Sequence, residues 1–105
     1  MNRNNEFIPV IITTSLDLPP LWGRLVRLSP DDADLASQFE LASGRVLALS
    51  FELGGKGYED IRARIGRALR DRDGYFNYSL TFLDPAQSAA LRSAMIDAAP
   101  PIKPS

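Results

Sequence analysis

The chain of 105 residues contains no cysteine, which excludes disulfides and thiolate chemistry and leaves the redox compartment open. It also contains no histidine, so the commonest general base and the usual transition-metal ligand are both missing. An enzyme built from these residues would depend on carboxylates. No apolar run approaches the roughly 20 residues a membrane helix needs. The first residues, MNRNNEFIPVIITTS, lack the charged region, long apolar stretch and small-residue cleavage site of a signal peptide. These absences point to a cytoplasmic protein with no membrane span.

Nor is there an excess of charge of one sign. Twelve basic and thirteen acidic residues leave a net charge of −1, which argues against nucleic acid or anionic lipid as a partner. Hydrophobic residues make up 45% and charged residues 24%, the usage of one ordinary globular domain. The basic residues are unevenly spread. Arg62, Arg64, Arg67, Arg70 and Arg72 fall within one short segment, and Arg forks to phosphates and carboxylates in a way that Lys does not.

Periodicity organises most of the chain. Residues 1–6 are polar and expected to be loose. FIPVIITT (7–14) is β-branched and apolar, with Pro9 suited to a strand start or edge. Pro19 and Pro20 break it. Residues 22–28 alternate, with Trp22, Arg24, Val26 and Leu28 of one parity and Gly23, Leu25 and Arg27 of the other, which predicts a strand. Residues 29–39 allow two readings. Ser29, Pro30, Asp31 and Asp32 look like a helix start, yet Ala33, Leu35 and Ser37 also alternate as a short strand would.

Residues 45–53 form a strongly apolar strand. Gly54, Gly55, Lys56 and Gly57 lack the spacing of a phosphate-binding loop and predict a hairpin turn. Residues 59–72 place Ile61, Ala63, Ile65 and Leu69 inward, with Arg62, Arg64 and Arg70 outward. Arg67 is out of phase, and Gly66 beside it marks a bulge. Residues 75–83 alternate with Phe76, Tyr78, Leu80 and Phe82 inward. A helix then begins with Asp84 as cap, Pro85 at the first position and Gln87 completing the box, and runs to about Ala98. Its apolar stripe is Ala90, Leu91, Ala94, Met95 and Ala98. Residues 99–105 form a proline-rich tail. Six strands with no helices between them must pair mostly antiparallel, and around one small core they favour a closed or nearly closed barrel, mainly β, with the C-terminal helix over one end.

A strand leading into an S-x-x turn, a short strand, a Gly before an apolar strand, a Gly-rich hairpin, and a strand ending in Leu80, Phe82, Leu83 and Asp84 before a helix together resemble the PilZ domain family. The stretch RLSPDDADLASQFELASGRVLALSFEL carries most of the resemblance, which spans residues 24–96 and favours the strand reading of 33–37. It implies a six-stranded barrel with a C-terminal helix. Many members bind cyclic di-GMP through an R-x-x-x-R motif ahead of the barrel and a [D/N]-x-S-x-x-G turn.

This chain departs from both motifs. Arg3 stands at the first Arg position but Phe7 at the second. Arg27 holds the [D/N] position, Ser29 matches, and Asp32 replaces the Gly. Asp31 and Asp32 bring negative charge to where phosphates would lie, and like charges near 4 Å repel by about 4 kcal/mol at a surface-like dielectric. The resemblance thus implies a non-catalytic signalling or adaptor domain that does not bind cyclic di-GMP in the usual way. It would act by contact with another protein, in type IV pilus assembly, motility or cyclic di-GMP signalling. Arg62, Arg64, Arg70 and the exposed part of Trp22 are its candidate contact surface, because Arg and Trp are over-represented at binding hot spots. The alternative is a cyclic di-GMP receptor with a non-standard set of Arg3, Arg24 and Arg27 around Ser29. Asp31, Asp32 and Asp34 offer hard-cation ligands, but their spacing fits no EF-hand loop. No cofactor and no metal is implied.

Overall fold

The computed structural model describes residues 7–71 and 73–98. Six strands are followed by one helix: β1 (Ile8–Thr13), β2 (Leu21–Leu28), β3 (Asp32–Ser37), β4 (Val46–Leu53), β5 (Lys56–Arg70), β6 (Phe76–Phe82) and α1 (Pro85–Ala98). The strands close into a barrel in the order β1-β2-β3-β6-β5-β4, and every neighbouring pair is antiparallel. The six-stranded barrel with a C-terminal helix is therefore the observed architecture. Residues 29–31 form a turn and the segment after it is a strand, as the alternation of Ala33, Leu35 and Ser37 allows. No helix among the described residues is long and apolar enough to cross a membrane.

Inward residues of all six strands fill the barrel. Val10, Ile12, Leu25, Leu35, Leu49, Ile61, Ala63, Ile65, Tyr78 and Leu80 are buried together. Leu91 of α1 is fully buried against them, with Ala94 and Met95 packed beside it, so the helix closes one end. Burying such a leucine contributes about 1.5–3 kcal/mol. Ala90, expected on the apolar stripe, is exposed instead. Gly23 is inward-facing, and a Cβ there would lie 3.0 Å from both the Ala36 carbonyl oxygen and Leu35 Cδ1. Only glycine lets β2 and β3 approach so closely.

Three bulges alter the simple alternation. In β2 the pairing jumps from Leu25↔Leu35 to Arg27↔Asp34, leaving Val26 as the extra residue. This corrects the predicted parity: Arg27 moves to the outside, and Leu28 turns in to pack against the core. In β5 the register slips between Ile65 and Ala68, at the Gly66 position that the sequence marks. Gly66 leaves room for the Ser79 hydroxyl, which accepts a hydrogen bond from the Arg67 amide at 3.0 Å. Beyond this bulge the faces exchange. Leu69, expected in the core, is 60% exposed, and Arg70 pairs with Phe76 and lays its guanidinium over that ring. Arg70 thus does not share the face of Arg62 and Arg64.

The third bulge sets Glu59 and Asp60 of β5 opposite Ser50 of β4, and Asp60 takes a φ of 57°. Gln87 of α1 holds it. Its amide donates to the Asp60 carbonyl at 2.7 Å, and its oxygen accepts from the Arg62 amide at 2.9 Å. Gln87 therefore clamps the helix to β5 instead of completing a capping box. Asp84 does cap α1, accepting from the Ala86 amide at 2.9 Å. The hairpin turn is also tighter than expected. Gly54 and Gly55 both have positive φ and form a two-residue connection, so Lys56 and Gly57 already belong to β5.

One buried hydroxyl anchors the loop between β3 and β4. Tyr78 is 1% exposed; its OH donates to the Phe39 carbonyl at 2.7 Å and accepts from the Leu41 amide at 2.7 Å. Burial pushes the phenol pKa up, the bond from Leu41 opposes that, and Glu40 adds to it. Tyr78→Phe leaves both backbone groups without this partner and should lower unfolding free energy by about 1–3 kcal/mol in urea titrations.

Candidate functional site

The turn between β2 and β3 is where the sequence places its ligand-reading residues, and the Val26 bulge brings Arg27 to that corner on the outer surface. Arg27 Nε donates to Asp34 Oδ2 at 2.8 Å, and a second nitrogen lies 3.1 Å from Asp32 Oδ1. One guanidinium thus bridges two carboxylates. Ser29 donates from its hydroxyl to Asp32 Oδ1 at 2.6 Å and accepts from the amides of Asp32 and Asp31 at 3.1 and 3.3 Å. The Ser29 amide closes the turn on the Asp32 carbonyl at 2.9 Å. Asp31, the remaining acid, lies 3.5 Å from Arg92 of α1.

Asp31, Asp32 and Asp34 therefore each have a cation, and the corner is satisfied by the protein's own groups. The bond from Ser29 and then the bond from Arg27 hold the Asp32 carboxyl below its ordinary pKa. Bonds to Asp34 and then Asp32 raise the Arg27 pKa above its ordinary value. Among the described residues, no group of three or more acidic side chains is arranged to hold a metal ion.

Arg24 sits elsewhere on β2. Its guanidinium lies between two rings, 4.6 Å from the centroid of Tyr75 and 4.9 Å from that of Phe7, and it donates to the Tyr75 hydroxyl. The structure brings together Arg27, Ser29, Asp32 and Asp34, while Arg24 belongs to this separate aromatic cluster. Arg3 lies outside the described residues. Neither guanidinium of β2 is without a protein partner.

Trp22 is the exception among the candidates. It stands on the outer face of β2, 65% exposed, with Ile11 opposite it on β1 and Phe7, Phe39, Leu16 and Leu18 also exposed. Sequence reasoning missed Phe39, Phe7 and Ile11 as surface residues, because exposed aromatic and aliphatic side chains have the composition of a core. The alternation of 22–28 does carry the signal, since a Trp out of phase with Leu25 faces outward. Arg62 and Arg64 also face outward on β5 and make no ion pair among the described residues. Arg64 donates to the Gly44 carbonyl at 3.4 Å.

The fold and site define a small closed antiparallel barrel capped by a helix, with an internally neutralised polar corner and an aromatic face. No family model matches the chain, and no curated protein sequence matches it either.

The lowered Asp32 pKa has a definite sign. A carboxyl whose folded pKa is depressed stabilises the fold above its unfolded pKa, and that contribution is lost as pH falls through the folded value. Between about pH 4 and the acid limit, the wild-type melting temperature should fall more than that of Asp32→Asn, the two converging as Asp32 protonates. Parallel melting curves across that range would contradict the pairing.

Proposed function

We propose that this chain is a divergent PilZ-like barrel acting as a non-catalytic adaptor, through contact with another protein, and not as a usual receptor for cyclic di-GMP. The closed corner carries this reading. To recruit Arg27, a ligand phosphate must displace two carboxylates that already hold it, and Asp32 and Asp34 would then face the phosphate. Exchanging one charge-assisted pair for another in water yields little net free energy.

The contact surface in this reading is the face around Trp22, with Arg62 and Arg64, which make no ion pair among the described residues, as a separate patch on β5. Trp and Arg are over-represented among the few residues that carry most of the binding energy at protein interfaces. Large exposed apolar clusters on a monomer mark such sites. The architecture, a six-stranded barrel with a C-terminal helix, is the one this PilZ-like reading requires, and a role in bacterial motility, pilus assembly or cyclic di-GMP signalling is part of the proposal.

Calorimetry with cyclic di-GMP and wild-type protein tests the reading directly. No micromolar binding is expected. Micromolar binding abolished by Arg27→Ala would instead establish a receptor with a non-standard Arg set. Cross-linking from bacterial extracts should capture a partner that Trp22→Ala releases while the melting temperature stays unchanged, and Arg62→Glu or Arg64→Glu tests the second patch in the same assay.

A further inference from the structure

β5 is the longest strand, and β4 accompanies only part of it. The last register pair between them is Val46↔Arg64. The last backbone bonds to that side of β5 are made at Ile65, whose amide donates to the Arg45 carbonyl at 2.9 Å and whose carbonyl accepts from the Gly44 amide at 2.7 Å. Residues 66–70 continue as strand, pair with β6 on their other side and are exposed throughout. Their bonding is one-sided. The Asp71 amide donates to the Tyr75 carbonyl at 2.8 Å, and Leu69, two residues earlier and opposite Asn77, faces β6 in the same way. Backbone direction alternates along an antiparallel strand, so the amides and carbonyls of Ala68 and Arg70 point away from β6, to the side that β4 has left. No backbone group among the described residues meets them there.

Such an edge is a template for one more strand, and its side chains state which strand fits. Arg45, Arg64, Arg67 and Arg70 stand on or beside it, and none makes an ion pair among the described residues. Arg70 lies over the Phe76 ring, 5.6 Å from its centroid, and Arg64 donates to the Gly44 carbonyl, so these guanidiniums are held in place without being neutralised. Asp71, the next acid along the chain, is turned to the hairpin, where it accepts from the Asp73 amide and from Asn77. A second copy pairing through the same edge would bring the same arginines against these, which disfavours self-association. A nucleic acid matches the charge, but its phosphate backbone has no donor for the open carbonyls. Leu69 stands between Arg67 and Arg70 in the strand, 60% exposed, and shares a surface cleft with Val26.

We propose that residues 66–70 of β5 are a strand-addition site for an extended acidic segment of another protein. Running antiparallel, the segment exchanges backbone bonds with Ala68 and Arg70, sets acidic side chains opposite Arg70 and Arg67, and sets an apolar side chain opposite Leu69. The pattern recognised is acid, apolar, any residue, acid. That the segment belongs to the partner of an adaptor rests on the function proposed above; the strand addition itself does not.

The probe is an end-blocked peptide, Thr-Glu-Val-Thr-Glu-Thr, titrated into the isotope-labelled full chain and followed by NMR. In the free protein the Ala68 and Arg70 amides should exchange with solvent at least about tenfold faster than that of Leu69, because only Leu69 is bonded to β6. The peptide should bind with submillimolar affinity and slow exchange at Ala68 and Arg70. Arg67→Glu and Arg70→Glu, each confirmed as folded by circular dichroism, should each weaken binding about tenfold. Changing both Glu of the peptide to Lys, or N-methylating its first Glu and second Thr, which face Arg70 and Ala68, should abolish binding. Ala68 and Arg70 amides already protected in the free protein overturn the proposal, as does the absence of binding at millimolar peptide. Equal binding of the Lys or N-methyl peptide overturns it too. So does an oligothymidylate that binds the same residues more tightly than the peptide, which would make this a polyanion surface. No dinucleotide enters the measurement and Trp22 is unchanged, so its failure is separable from failure of the proposed function.

Discussion

Three residue pairs between β1 and β4, Ile11↔Ser50, Ile12↔Leu49 and Thr13↔Ala48, close the sheet into a barrel. Without them β1 and β4 would be free edges, with unpaired backbone groups available to other chains. With them, Ile12 and Leu49 are fully buried at the seam, and the inner faces of six short strands enclose one core. Leu91 of α1 covers the end of that core. The same seam presents Ile11 outward beside Trp22, so the pairing that seals the barrel also builds an apolar outer face.

A closed barrel of twisted strands does not keep strict alternation, and the bulges show where it gives way. Each inserts one residue and exchanges the faces beyond it. At Val26 this turns Arg27 out to the two aspartates and Leu28 in. At Gly66 it turns Leu69 out and leaves the end of β5, Arg67 to Arg70, beyond its last pair with β4, Val46↔Arg64. Arginines on that exposed end discourage pairing with another sheet. At Glu59 and Asp60 the third bulge is held by Gln87, a helix residue, which couples the cap of the barrel to β5.

The polar corner and the aromatic face stand in contrast. At the corner, Arg27, Ser29, Asp31, Asp32 and Asp34 all have partners, including Arg92 from the helix. A ligand there must compete with interactions already made. At the aromatic face, Trp22 and Ile11 have exposed apolar area that nothing among the described residues covers, and removing such area from water is favourable. Arg24, fixed between Phe7 and Tyr75, holds one border of that face in place.

The period-two pattern of Trp22 to Leu28, of Phe76 to Phe82 and of the apolar run after Gly44 determined the strands by itself, because alternation is a local property of the backbone. Asp84 and Pro85 likewise announced the helix, and the glycines at 54, 55 and 57 a hairpin, though not that only Gly54 and Gly55 make its turn. The PilZ-like resemblance pointed to the Ser29 corner from turn positions alone. Tertiary structure decided what those residues do there: Arg27 and Asp34 are seven positions apart and meet only because a bulged β2 pairs with β3. It also decided that Gln87 bonds β5 and that Leu69 is exposed. These outcomes depend on register between strands, and a one-residue slip that exchanges faces leaves no mark on composition.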